Sequence, residues 1–320
     1  MPEQPIVLLT NAIHPDGDAI LAGHARLVTA PDTSPDTLRS LATDADGIIV
    51  RAKLPDDIVS HAPRLKGLVR HGVGLDFIPV PAATAKGIPV ANLPGSNTQA
   101  VAEYCFAALF HLRRPLGSMD QRLRHEGWGT ARALADVTAE VGGTTLGIVG
   151  VGTIGRRVAT MATHGFGMRV LGASRTPGRM PDGVEEVGLE ELFSSADAVI
   201  LSCALTDETR GLVNGRLVSL MKPNAALVNV SRGAVVETEA LIRALRDGAI
   251  AGAALDVFET QPLLPDDDLF KSQRLLLTPH VAGITATSMR NMSIGAAEEM
   301  LRILRGERPL NLVNPDCFKG

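Results

Sequence analysis

At 320 residues the chain exceeds what one hydrophobic core supports, since cores stop growing near ~250–300 residues, so two domains are expected. The composition is globular, with 45% hydrophobic and 21% charged residues. A net charge of −4 with interspersed signs argues against nucleic acid partners, and the absence of any apolar run of the roughly 18 residues a membrane span needs argues against a membrane protein. Cys105, Cys203 and Cys317 are too few and too scattered for a disulfide framework or a zinc site, and no histidine has metal-ligand spacing, so no metal is expected.

The N-terminus MPEQPIVLLT carries an acid where a signal peptide would carry positive charge, and its apolar stretch starts a strand pattern. A soluble protein in a reducing cytoplasm is the expectation. PIVLLT, ARLVTA, DGIIV, LKGLVR and IPVAN read as buried strands separated by helix-like stretches, so residues up to about Pro94 form one parallel α/β unit with a small sheet. Thr98 to Leu112 has a sustained apolar pattern without Gly or Pro and reads as a long helix that Pro115 ends, linking two domains. A second α/β series follows in TTLGIVG, MRVLGAS, ADAVILSCAL, AALVNVS and IAGAALDVF. After LLLTPHVAG a helix is expected from Ala286 to Arg305, and the PLNLVNPD tail returns to the first domain.

TTLGIVGVGTIGRRVATMA places Gly150, Gly152 and Gly155 in G-x-G-x-x-G spacing between a strand and a helix. Gly150 permits the tight turn, Gly152 lets the backbone approach a pyrophosphate, and Gly155 lets helix and strand pack closely; Thr153 and Ile154 open the helix whose N-terminus faces the anion. A nicotinamide dinucleotide fits this frame. The next strand ends in Ser174-Arg175-Thr176, where an NAD-selective site carries an acid for the ribose hydroxyls. Hydroxyls and a guanidinium instead suit a 2′-phosphate, so NADP is the expected cofactor and NAD the alternative, with Arg179 as a further candidate contact.

Three later strand ends carry residues a core would not select: Arg232 in NVSRGAVV, Asp256 and Gln261 in ALDVFETQPL, and His280 in LTPHVAG. Carboxyl ends of strands line the ligand crevice of open α/β sheets. A guanidinium there clamps the carboxylate of a 2-oxo acid, and an imidazolium donates a proton to its carbonyl oxygen as hydride arrives at carbon.

With VRHGVGLDFI, NLPGSNTQAVAEY, GVGTIG, CALTDETRGLV, NVSRGAVVE, AALDVFETQPL and TPHVAG in this order, the chain resembles the D-isomer-specific 2-hydroxyacid dehydrogenase family over nearly its full length. The resemblance implies an α/β fold of two doubly wound parallel-sheet domains. A Rossmann dinucleotide-binding domain (98–286) is inserted into a flavodoxin-like substrate domain built from 1–97 and 287–320. It also implies a homodimer formed through the Rossmann domain, with Trp128 in the region used for dimer contacts or for closing over the cleft.

By the same resemblance Arg232 holds the substrate carboxylate, His280 is the acid/base, and Asp256 holds the nicotinamide carboxamide. Cys203, Ala204, Thr209, Val230 and Gly283 are further cofactor contacts. Val73 and Gly74 are backbone donors to the substrate carboxylate, while Arg51 and Asn97 match positions that contact substrate in some members. Cys203 is read as a small packing residue rather than a nucleophile, and His71 as either a cleft residue or a solvated loop histidine.

Gln261 departs from the common pattern, which has a glutamate paired with the histidine five residues after the aspartate. Glu259 belongs to the DVFE part of the motif. A neutral glutamine orients the ring without favouring imidazolium, so His280 is expected to be protonated over a lower pH range than in glutamate-bearing relatives. Formate dehydrogenases of the same superfamily also carry glutamine there, but the remaining motifs resemble hydroxyacid dehydrogenases. The expected activity is NADP-dependent reduction of a small 2-oxo acid of the glyoxylate or hydroxypyruvate class. The alternatives are an NAD-dependent phosphoglycerate dehydrogenase-like enzyme and a non-catalytic dinucleotide-sensing binding protein.

Overall fold

A computed structural model describes residues 4–176 and 178–318. The chain divides into two compact units, Met1–Asn97 with Ile284–Gly320, and Thr98–Gly283, so the return to the first unit falls at Ile284, close to the expected 287.

The first unit is a five-stranded sheet of β1 (Ile6–Leu9), β2 (Arg26–Thr29), β3 (Gly47–Val50), β4 (Gly67–Arg70) and β5 (Val90–Ala91), in the order β2-β1-β3-β4-β5. All four pairings are parallel. This is the flavodoxin-like order anticipated for the substrate domain. Strands β1 and β3 are buried at every position because helices cover both faces, which is why they read as unbroken apolar runs. One face packs on Leu21 of the first helix and on Met292, Ala296 and Met300 of the helix Ala286–Leu304; the other packs on Leu38, Ala42, Ile58 and Ala83. The final helix starts at a reciprocal cap in which Thr285 and Ser288 satisfy each other's backbone amides. Its buried Glu299 accepts from the amides of Leu310 and Asn311, each at 3.0 Å, and Leu312 pairs with Ala91, so the tail lies along β5.

The second unit holds the long helix Thr98–Arg113 and a seven-stranded parallel sheet. Its strands are β6 (Thr145–Val149), β7 (Arg169–Ala173), β8 (Val184–Glu186), β9 (Ala198–Leu201), β10 (Ala226–Asn229), β11 (Gly252–Leu255) and β12 (Leu275–Leu277), ordered β12-β11-β10-β9-β6-β7-β8. The order reverses between β9 and β6, the doubly wound pattern whose switch point binds dinucleotides. The long helix and the helix Thr153–Phe166 cover one face, and Leu192, Phe193, Leu217 and Leu241 pack on the other. No helix among the described residues is long and apolar enough to cross a membrane.

Candidate dinucleotide and active site

The glycine turn sits at the switch point and each glycine is used differently. Gly150 has φ +92°, and a Cβ there would lie 2.5 Å from the Cα and backbone N of Cys203 just after β9, so both the turn and the close strand approach require glycine. A Cβ on Gly155 would meet the Gly150 carbonyl at 2.4 Å, whereas one on Gly152 would enter open space. Gly152 caps the helix Thr153–Phe166 without any side-chain bond, and the amides of Gly152, Thr153, Ile154 and Gly155 have no partner among the described residues. Four unspent donors at a helix N-terminus, beside open space at Gly152, fit a pyrophosphate.

At the end of β7, Ser174, Arg175 and Thr176 are all exposed, and the Ser174 hydroxyl accepts from the Thr176 amide at 3.3 Å. Arg179 is exposed, and its carbonyl accepts from the Arg156 guanidinium. Across the sheet, the Thr209 hydroxyl donates to the Ala204 carbonyl at 2.7 Å and accepts from the Thr206 amide, closing the turn after β9. Burial pushes the Cys203 thiol up, which disfavours a thiolate and agrees with a packing role. Val230 follows β10 and its amide donates to Leu201, tying the ends of β9 and β10 together.

His280 and Gln261 come together, with ring Nδ1 and Oε1 3.1 Å apart. An amide oxygen opposite Nδ1 favours the proton there. The backbone of His280 is left-handed at φ +57°, a conformation costly for a non-glycine residue and held by its surroundings. Asp256 does much of that holding. Only 1% exposed, its Oδ1 accepts from the Thr278 hydroxyl at 2.6 Å and the Val281 amide at 2.8 Å, and its Oδ2 accepts from the Ala282 amide at 2.8 Å. Tyr104 of the long helix lies 2.6 Å from the Thr278 hydroxyl, extending the network, and burial pushes the phenol up to about 12. Gly283 ends the segment. Sequence reading missed Tyr104 and Thr278, and gave Asp256 a ligand contact without this internal task.

Arg232 follows β10, where buried Asn229 accepts from the Ser231 amide and hydroxyl and donates to the Arg232 carbonyl at 3.0 Å. Gly233 must be glycine, since a Cβ would fall 1.9 Å from the Phe258 carbonyl carbon. The guanidinium donates to the Ser231 carbonyl at 2.7 Å.

The first unit contains Arg51, Val73, Gly74 and Asn97. The Arg51 guanidinium donates to the Ala12 carbonyl, and burial lowers its pKa. The Asn97 Oδ1 is buried and takes no donor among the described residues. Val73 and Gly74 lie in the turn after β4, and neither amide has a partner among the described residues. Consecutive unspent amides in a turn form an anion-binding concavity.

His71 is neither solvated nor a free cleft base: it is 4% exposed, and its Nε2 lies 2.9 Å from the Ser293 hydroxyl. Burial, then the charges of Arg51 and Arg70, push it down to about 4. Between its ordinary 6.5 and about 4 the unfolded chain binds a proton that the folded chain refuses, so His71 removes up to about 3 kcal/mol of stability as pH falls through that window. His71→Gln should lose less melting temperature between about pH 7 and pH 4.5 than the parent. Equal losses in thermal-shift measurements would rule this linkage out.

A parallel sheet with this switch point, a glycine cradle for a pyrophosphate, and an arginine and an oriented histidine at carboxyl ends of strands on the same side of the switch point define a nicotinamide dinucleotide oxidoreductase. Comparison with known proteins narrows the class. The profile of the family described as "D-isomer specific 2-hydroxyacid dehydrogenase, NAD binding domain" matches residues 106–282. A glyoxylate reductase of Aeropyrum pernix is 37% identical over 99% of this chain and 98% of its own length. One of Thermococcus litoralis is 39% identical over 86% of this chain and 85% of its own. Among solved structures, an NADPH-dependent glyoxylate/hydroxypyruvate reductase of Sinorhizobium meliloti, in complex with NADP and malonate, superposes with TM-score 0.85 at 29% identity, covering 98% of each chain. The chain belongs to the D-isomer-specific 2-hydroxyacid dehydrogenase family of NAD(P)-dependent oxidoreductases.

Proposed function

We propose that this enzyme reduces a small 2-oxo acid of the glyoxylate or hydroxypyruvate class to the D-2-hydroxy acid, with NADPH preferred over NADH. The observation that carries the cofactor preference is the exposed Ser174–Thr176 segment at the end of β7, where Arg175 is flanked by two hydroxyls and no acid stands in the segment itself. An acid there would repel a 2′-phosphate, and a guanidinium pairs with one. The substrate class rests on the full-length likeness to proteins called glyoxylate reductase.

When bound, the reduced nicotinamide supplies the hydride. Arg232 pairs with the substrate carboxylate, and the Val73 and Gly74 amides donate to it. Arg51 and Asn97 are further substrate contacts, each as a donor, Asn97 through its side-chain Nδ2. His280 gives the proton on Nε2 to the carbonyl oxygen and keeps the one on Nδ1 that faces Gln261. Asp256 retains one unspent lone pair on Oδ2 for the carboxamide, while its other bonds hold the turn. Cys203, Ala204, Thr209, Val230 and Gly283 shape the rest of the cofactor path. The proposed domain roles follow: Thr98–Gly283 carries the dinucleotide and the other unit the substrate.

A homodimer in the cytoplasm completes the proposal. Trp128 is 74% exposed on a segment that also exposes Leu116, Leu123 and Val137, apolar side chains suited to burial against a second copy.

The direct test is turnover of a panel of 2-oxo acids with NADPH and NADH in parallel. Faster reduction of glyoxylate and hydroxypyruvate than of bulkier 2-oxo acids, with a lower KM for NADPH than for NADH, is expected. Preference for NADH would overturn the cofactor assignment, and preference for a bulky side chain the substrate class. Arg175→Ala should raise the KM for NADPH about 10–100-fold and leave that for NADH within a few-fold, the loss of one charge-assisted pair. Parallel changes for both cofactors would remove Arg175 from this role.

A further inference from the structure

The turn His71–Gly74 has an unusual division of its hydrogen bonds. Every carbonyl is taken: His71 by Arg70 Nη1 at 3.1 Å, Gly72 by the Leu93 amide at 2.9 Å, Val73 by Asn92 Nδ2 at 2.8 Å, and Gly74 by Arg70 Nε at 3.0 Å. The His71 and Gly72 amides are also spent, on Val50 and Arg70 carbonyls. Among the described residues, only the Val73 and Gly74 amides find no partner. In a peptide chain each amide points roughly opposite to the carbonyl of the same peptide unit, so fixing carbonyls on one side aims the neighbouring amides to the other. The unit carrying the Val73 amide is held by the Leu93 amide on the Gly72 carbonyl and the unit carrying the Gly74 amide by Asn92 Nδ2 on the Val73 carbonyl, while Arg70 clamps the units on either side through the His71 and Gly74 carbonyls. Its guanidinium also donates to the Val50 carbonyl at 2.7 Å, anchoring it to the end of β3, and its Cζ lies 4.6 Å from the Phe77 ring centroid.

We propose that Arg70 and Asn92 are positioning residues for substrate binding: Asn92 sets the peptide plane that carries the Gly74 amide and Arg70 clamps the planes on either side of the turn's centre, so that the Val73 and Gly74 amides present a preformed site for a carboxylate. The inference rests on the reading that these amides receive the substrate carboxylate. Arg70 acts through the turn and not by touching substrate, and the planar five-donor fork is what allows one side chain to hold three carbonyls at once. A lysine has one nitrogen and does not span the Nη1 and Nε positions together. Preorganisation of this kind is spent on binding, so its loss is read in the KM of the 2-oxo acid rather than in the cofactor or in the rate of the chemical step.

The test compares Arg70→Gln, Arg70→Lys and Asn92→Ala with the parent. Arg70→Gln should raise the KM for glyoxylate by about 10–100-fold, with kcat and the KM for NADPH within about threefold. Arg70→Lys should fall between, and Asn92→Ala, which frees only the Val73 carbonyl, should raise the same KM by a few-fold. Backbone amide NMR keeps the two readings apart. In the parent, the Val73 and Gly74 resonances should shift on titration with oxamate at saturating NADPH. If they do not shift, the carboxylate reading fails. If they shift in the parent and shift equally, at the same oxamate concentration, in Arg70→Gln, the positioning role fails. Where Arg70→Gln does not fold, Arg70→Lys and Asn92→Ala carry the decision, and a KM for glyoxylate unchanged in both overturns the proposal.

Discussion

His280→Ala should lower kcat for 2-oxo acid reduction by about 10²–10⁴-fold, the span a positioned general acid supplies, while NADPH still binds with its parental affinity. The loss falls on kcat because the imidazole acts when charge develops on the carbonyl oxygen, and a group that matters only in the transition state leaves ground-state binding alone. Cofactor binding measured by nicotinamide fluorescence separates this from a collapsed turn, since the cradle at Gly150–Gly155 is built from other elements. A variant retaining more than about a tenth of parental kcat would show that water or another group supplies the proton.

The same histidine carries the companion test. Gln261 Oε1 faces its Nδ1 at 3.1 Å and brings no charge. Gln261→Glu places a carboxylate opposite the ring, favours imidazolium, and should carry reductive activity to higher pH by about 1–2 units. The sign is fixed: a partner that stabilises the protonated acid raises the pH at which that acid is lost. An unchanged pH–rate profile would leave Gln261 as a tether only.

Much of this was legible in the residues. The central strands could be read because a parallel strand covered on both faces must be apolar throughout, as IVLL, GIIV, AVIL and ALVN are. The edge strand Val184–Glu186 escaped notice because it reads VEE and faces water. The helices Leu116–Glu126 and Trp128–Ala133 also escaped, since most of their residues are exposed and Gly127, with φ +89°, interrupts them. Gly150 and Gly155 were legible because spacing alone dictates which glycine turns and which packs closely.

The supporting residues were not. Arg70 reads as a charge at a strand end, and nothing in VRHGVG says that it faces back to hold carbonyls. Asp256 reads as a contact for a ligand, and only the fold shows three donors from residues 278–282 closing on it. Roles that depend on one side chain meeting the backbone of a distant segment leave no periodic trace in sequence.

Arg232 carries the other large effect. Its backbone is locked by Asn229 on one side and, through Gly233, by contact with Phe258 on the other, so the guanidinium is delivered from a rigid base. A fork held this way meets a carboxylate through two parallel bonds, and an ammonium on a flexible stem does not reproduce them. Arg232→Lys should therefore lower kcat/KM for glyoxylate by about 10²–10³-fold, equivalent to about 3–4 kcal/mol, with NADPH affinity unchanged. The positive charge is kept in this variant, so the loss isolates geometry from electrostatics. Arg232→Gln, which removes the charge as well, should fall further. If lysine supports kcat/KM within about threefold of the parent, the arginine serves as a diffuse positive charge, and the bidentate clamp is wrong.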